Sequence, residues 1–198
     1  MRPELILASS SPRRRDILTL MKTRFTVCSP DADERVRPGT EPADAVLIIA
    51  SRKAGAVALA HPEFGAGKYI LAADTVVDLD GKILGKPADA EDAARMLKAM
   101  SGRTHLVHTG VCVMHCGVSA GVTETTSVRF APLSDGEIAY YISTGEPFGK
   151  AGSYAVQGLG ARYVSGISGD YFNVMGMPVF ALDRLLDREW GITLRDFC

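Results

Sequence analysis

The chain has 198 residues, 46% of them hydrophobic and 23% charged, with a net charge of −1. That composition excludes a disordered chain, and a pI of about 6.4 excludes a broadly cationic surface for nucleic acid, so small anions are the expected partners. No apolar run approaches the ~20 residues of a membrane span, and only four apolar residues follow Met1-Arg2-Pro3-Glu4, too few for a signal peptide. A cytoplasmic protein forming one continuous domain, 1–198, is expected.

Leu5–Ala8 reads as a strand running directly into Ser9-Ser10-Ser11-Pro12-Arg13-Arg14-Arg15. Ser11 followed by Pro12 is a helix start, a hydroxyl to cap free amides and then a residue whose fixed φ suits the first turn. The helix is expected over Pro12–Met21 with Ile17, Leu18, Leu20 and Met21 on its buried face. Arginines at that end oppose the helix dipole by roughly 0.3–1 kcal/mol each unless an anion is present. Free amides, hydroxyls and guanidiniums together make a phosphate or carboxylate site; the alternative is a solvated basic patch on a frayed helix end.

A short strand near Phe25–Cys28 leads to a polar loop, Ser29–Thr40, which holds Asp33, Glu34 and Arg35. A helix capped near Thr40 follows over Glu41–Ala60. Tyr69–Leu79 is β-branched and apolar, Asp80-Gly81 is a two-residue hairpin signal and Lys82–Gly85 returns. Asp89 caps a helix to Met100, Leu106–His115 and Val122–Phe130 form an antiparallel pair, and Ser134 to Glu137 is a capping box opening a helix through Ile142. A glycine-rich loop, Gly145–Gly160, precedes a strand at Arg162–Ile167 and a last long helix at Val179–Arg188. Strands, hairpins and interspersed helices in this order make an α/β or α+β fold and not a plain βαβ repeat. Cys112 and Cys116, roughly 13 Å apart along a strand, are too distant to share a zinc ion.

Three charges stand where burial is expected. Asp74 lies in the apolar strand Ile70–Val77, where a carboxylate needs an ion pair, a metal or a cleft. If Asp80-Gly81 closes a two-residue turn, residues summing to 161 face each other, which places Lys86 opposite Thr75 and beside Asp74. Lys53 shares a helical stripe with Val46, Ile49, Val57 and Ala60, so it either enters the core side or snorkels to solvent. Arg13, Arg14, Lys53 and Lys86 are anion-binding groups, while Asp74 and the Asp33-Glu34 pair offer oxygens for a hard cation, an inventory for phosphoanhydride chemistry. No P-loop and no nucleophile elbow is present.

These stretches, L-I-L-A-S-S-S-P-R-R-R-D-I-L, A-A-D-T-V-V with I-L-G-K-P, S-G-R-T-H with T-G-V, and K-A-G-S-Y-A-V-Q-G-L-G, resemble in order the Maf family of nucleoside triphosphate pyrophosphatases over Leu5 to Leu186. The resemblance implies an elongated α/β fold, a mixed sheet with flanking helices whose two lobes enclose a cleft, similar to inosine triphosphate pyrophosphatases. It also implies hydrolysis of a nucleoside triphosphate to the monophosphate and pyrophosphate with Mg²⁺ or Mn²⁺. Asp74 falls on the family's proton acceptor and Glu34 on its acidic position for metal and catalysis, so both are implied metal ligands. Lys86 joins them as a catalytic group and, with Ser9, Arg13, Arg14 and Lys53, falls on phosphate-binding positions. Arg13, Thr75 and Gln157 match the subgroup acting on dTTP and UTP, where the 7-methyl-GTP subgroup has tryptophan, glutamine and glutamate. Gln157 can donate and accept, which suits the imide edge of uracil or thymine. The family's aspartate before K-A-G is replaced by Gly149. A homodimer without nucleic-acid or membrane partners is implied, and the rival reading is a non-catalytic nucleotide-binding regulator of cell division.

Overall fold

The computed structural model describes residues 2–29, 31–65 and 67–198. Seven strands form one mixed sheet: β1 (Glu4–Ala8), β2 (Phe25–Val27), β3 (Lys68–Leu79), β4 (Lys82–Leu84), β5 (Thr104–His115), β6 (Val118–Phe130) and β7 (Val164–Ser168). The order is β2-β1-β3-β5-β6-β7, and β4 pairs with β3. β1 runs parallel to β2 and β3, whereas the β3-β5, β5-β6 and β6-β7 pairs are antiparallel. The helices are α1 (Pro12–Leu20), α2 (Pro42–Ala60), α3 (Pro62–Gly65), α4 (Ala90–Met100), α5 (Asp135–Ser143), α6 (Tyr171–Met175) and α7 (Val179–Trp190). The expected mixed α/β architecture is present, and among the described residues no helix is long and apolar enough to cross a membrane.

Period-two alternation along β3 divides the interior. Ile70 and Ala72 pack with Ala50, Ala54 and Val57 of α2 on one face. On the opposite face, Tyr69, Leu71 and Ala73 join α1 and α7 in one apolar cluster, while Val77 and Leu79 join α4 and α5 in a second. Asp74 to Val76 therefore lie where the two clusters meet, so the lobes are joined by a strand whose middle is left for other uses.

Two glycines let α2 lie directly on the sheet. A Cβ on Gly110, the partner of Asp74 across β5, would fall 2.5 Å from the Leu47 nitrogen and the Val46 carbonyl carbon; one on Gly121 would fall 2.6 Å from Leu47 Cδ1. Gly110→Ala is expected to cost about 1–3 kcal/mol, because only the backbone of α2 can give way, and denaturant midpoints would read the loss.

Local departures have local causes. The buried stripe of α1 is Arg14, Ile17 and Leu18, spaced three and four apart, and Leu20 falls off it at 63% exposure. Ser11 is the N-cap of α1 without a side-chain cap bond, and the N-cap of α2 is Glu41, again without one, a residue past the expected Thr40, whose hydroxyl donates to the Arg37 carbonyl. The Asp89 cap and the Ser134–Glu137 capping box form as expected.

His105, 2% exposed, meets the Tyr154 hydroxyl through Nε2 at 2.9 Å, and its Nδ1 has no partner among the described residues. Burial pulls its imidazole down to about 4 from 6.5. A depressed folded value means the unfolded chain takes up the proton first, so this contribution is intact above pH 6.5 and is lost as pH falls toward 4, at up to about 1.4 kcal/mol per unit. Urea unfolding at pH 7, 6 and 5 should show that slope, and His105→Asn should flatten it.

Candidate active site

The cleft opens where β3 loses its neighbour on one edge. β1 pairs with β3 only as far as Ala8↔Ala72, and β4 joins the same edge only at Val77↔Leu84. Asp74 and Thr75 lie in that gap, beyond the carboxyl end of β1, the position at which open α/β sheets take their ligands. Side-chain alternation sends Asp74 toward α2 and Thr75 toward α1 and α6.

Toward α2, one ammonium holds two carboxylates. Lys53 Nζ is 2.7 Å from Asp74 Oδ1 and 2.8 Å from Glu34 Oε1, with side-chain exposures of 11%, 13% and 55% for Lys53, Asp74 and Glu34. Lys53 thus stays on the core side and does not snorkel to solvent. Burial pushes the Glu34 carboxyl up, but Lys53, with Lys86 and Arg14 behind it, outweighs burial and leaves it below its ordinary value. Arg52, one residue before Lys53, donates from Nη1 to the carbonyls of Asp33 (3.2 Å) and Arg35 (2.6 Å), which fastens the loop on both sides of Glu34.

Toward α1, Arg14 is 8% exposed and held entirely by neutral acceptors. Nε donates to the Gly176 carbonyl at 2.9 Å, Nη1 to Ser9 Oγ at 3.2 Å and Nη2 to Thr75 Oγ1 at 3.1 Å. Burial brings the guanidinium down to about 10, with Asp74 opposing the shift, so it is a cation at neutral pH. Among the described residues three of its five N–H groups are used, and two remain. Ser9 Oγ accepts from Arg14 and from the Ser11 amide, leaving its proton to donate. A buried cation with no carboxylate on it, a free hydroxyl proton and the uncapped start of α1 converge on one place, as an anion site requires.

All nine residues expected from the sequence line a single cavity of about 590 Å³: Ser9, Arg13, Arg14, Glu34, Lys53, Asp74, Thr75, Lys86 and Gln157. Five cationic side chains, those of Arg13, Arg14, Lys53, Lys86 and Lys150, stand in its wall against the two carboxylates of Asp74 and Glu34. The excess calls for a polyanion of nucleotide size.

A sequence profile described as "Maf-like protein" matches residues 4–189. The chain belongs to the Maf family. It is 48% identical over 192 residues to the dTTP/UTP pyrophosphatase of Anaeromyxobacter dehalogenans (strain 2CP-C), covering 95% of each chain. It is 48% identical over 186 residues to the dTTP/UTP pyrophosphatase of Halalkalibacterium halodurans, covering 94% of this chain and 95% of that one. Among solved structures, the Staphylococcus aureus Ham1 protein aligns with 98% of this chain and 93% of its own at 13% identity and a TM-score of 0.48.

Within this Maf chain some expected residues find other partners. The residue pairs of the β3-β4 hairpin do sum to 161, but pairing stops at Leu84, so Lys86 lies past the strand, exposed at the cavity wall; the ion partner of Asp74 is Lys53. Asp33 does not join Glu34, because Arg35 takes it through Nε and Nη2 and, chiefly by that side-chain bond, draws it down to about 2. Arg15 is exposed. Gly149 stands in the cavity wall at φ +73°, with open space where a Cβ would be.

Two contributors escape the sequence reading. Lys150 carries an ammonium pulled down by burial and then by Arg13, partly offset by Glu146. Glu146 ties the glycine-rich loop together, accepting from the amides of Leu159 and Gly160 (both 3.0 Å) and the Tyr141 hydroxyl (2.8 Å). An acid thirteen and fourteen residues before the amides it binds carries no periodic signal.

The carboxylates also fit a divalent cation. Asp74 and Glu34 are brought together by Lys53 Nζ, and each keeps a second oxygen that has no hydrogen-bond partner among the described residues. No group of three or more His, Cys, Asp or Glu suited to a metal occurs among those residues. A cation held by two carboxylates, with water and phosphate oxygens completing its shell, is the ordinary binding mode of Mg²⁺.

Proposed function

We propose that this protein hydrolyses nucleoside triphosphates, dTTP and UTP foremost, to the monophosphate and pyrophosphate, with Mg²⁺ or Mn²⁺ held by Asp74 and Glu34. The observation that carries this reading is the pairing of two carboxylates on Lys53 inside a wall of five cations, supported by the names of the relatives. Arg14, the Ser9 hydroxyl, Lys86 and the first turn of α1 bind the phosphates. Water attacks phosphorus, Asp74 takes its proton, and the bond to the bridging oxygen between the α and β phosphates breaks to release pyrophosphate. The cation, when bound, neutralises phosphate charge and favours ionisation of water. Arg13, Thr75 and Gln157 face the nucleoside. The protein works in the cytoplasm as a homodimer, which light scattering on the purified chain would test.

A panel of nucleoside triphosphates with Mg²⁺ tests the reaction. Pyrophosphate should appear fastest from UTP or dTTP, and release from none of them would overturn the proposal. Tight binding without any release would favour the non-catalytic regulator.

A further inference from the structure

Behind the cavity lies a run of hydrogen bonds with only one possible direction. The Thr109 hydroxyl, fully buried on β5, donates to the Asn173 carbonyl at 2.9 Å, since a carbonyl only accepts. A hydroxyl has one proton, so the 3.0 Å contact between Thr109 and Thr75 runs the other way, Thr75 donating and Thr109 accepting. Thr75 then meets the Arg14 Nη2 N–H at 3.1 Å with a lone pair. What Thr75 has left for the cavity is one lone pair and no proton, the reverse of Ser9.

The anchor of this run is itself fixed. Asn173, fully buried on α6, donates from Nδ2 to the Val107 carbonyl and to Thr126 Oγ1, both at 2.9 Å, so the carbonyl that receives Thr109 has a set place. Thr126 in turn donates to the Asp170 carbonyl at 3.0 Å, which fastens the start of α6 to β6.

We infer that Thr109, which lies outside the cavity lining, is a specificity-determining positioning residue: it makes Thr75 an acceptor-only group, so that the part of the nucleotide seated on Thr75 is an N–H or O–H donor. A phosphate oxygen, itself an acceptor, is refused there and directed to Arg14 and Ser9. This rests on the nucleotide reading above. Two groups shared by UTP and dTTP offer such a donor, the ring N3–H of the base, where cytosine has a lone pair, and the sugar 3′ hydroxyl; the 2′ hydroxyl of UTP is absent from dTTP.

Thr109→Val keeps the shape, removes the acceptor and frees the Thr75 proton to turn toward the cavity; Thr109→Ser keeps the hydroxyl. Affinities of the full chain for UTP, CTP and 3′-deoxy-UTP are measured by titration calorimetry without added divalent metal, so that no turnover is required. Thr109→Val should weaken UTP about tenfold, the worth of one hydrogen bond, and Thr109→Ser should restore it. A shrinking UTP-to-CTP ratio identifies the base as the donor, and a shrinking UTP-to-3′-deoxy-UTP ratio identifies the sugar. Both ratios unchanged in a folded Thr109→Val protein, or no nucleotide binding by the native chain, would overturn the inference. If Thr109→Val does not fold, Thr75→Val must shrink one of the same ratios, and unchanged ratios again reject the idea. Hydrolysis of UTP by the native chain is assayed separately, so the functional reading and this inference can fail independently.

Discussion

Asp74→Asn should slow pyrophosphate release from UTP by about 10³-fold or more while leaving the fold and nucleotide binding in place. Asparagine keeps the shape of the side chain and an oxygen for Lys53 Nζ, now 2.7 Å from Asp74 Oδ1, but it cannot accept a proton from water. A positioned general base contributes about 10²–10⁴-fold, and loss of its charge also weakens any cation shared with Glu34. The expected signature is a collapse of kcat with a Michaelis constant that does not rise, because one negative charge has been removed from beside a polyanion. A rise in the Michaelis constant with kcat preserved would show instead that Asp74 only helps to bind.

The legible part of this site is electrostatic. A carboxylate inside β3, a lysine on the apolar stripe of α2 and arginines at the start of α1 are each costly where they stand, and that anomaly needs no tertiary information to be seen. Partner choice is a different matter. Lys53 and not Lys86 reaches Asp74 because α2 lies directly over Gly110 and Gly121, an alignment of helix on sheet that hairpin register does not determine. Leu20 is outside because Arg14 occupies the buried stripe that apolar spacing assigns to carbon alone. Thr109 and Asn173 are neutral and give no local signal, and α6, with five residues, is too short for a helical period to show. Their roles exist only in the direction of hydrogen bonds across β3, β5 and α6.

Lys53→Met should destabilise the protein by about 3–5 kcal/mol and change how its stability depends on pH. The lysine is buried between two acids, and removing one partner of a buried pair leaves Asp74 uncompensated in an apolar strand, which is where most of the loss arises. The pH dependence follows from Glu34. In the native chain burial raises its carboxyl but Lys53 brings the balance below the ordinary 4.5, so its stabilising contribution is present above 4.5 and lost as acid carries the solution through the lower folded value. Without Lys53, burial is opposed only by Lys86 and Arg14, the folded value moves up toward or past the unfolded one, and the proton uptake that accompanies acid unfolding diminishes. Urea midpoints between pH 5 and 3 should therefore fall less steeply in Lys53→Met than in the native chain, although the variant starts lower at pH 7. Parallel curves in the two proteins would show that Lys53 does not set the ionisation of Glu34.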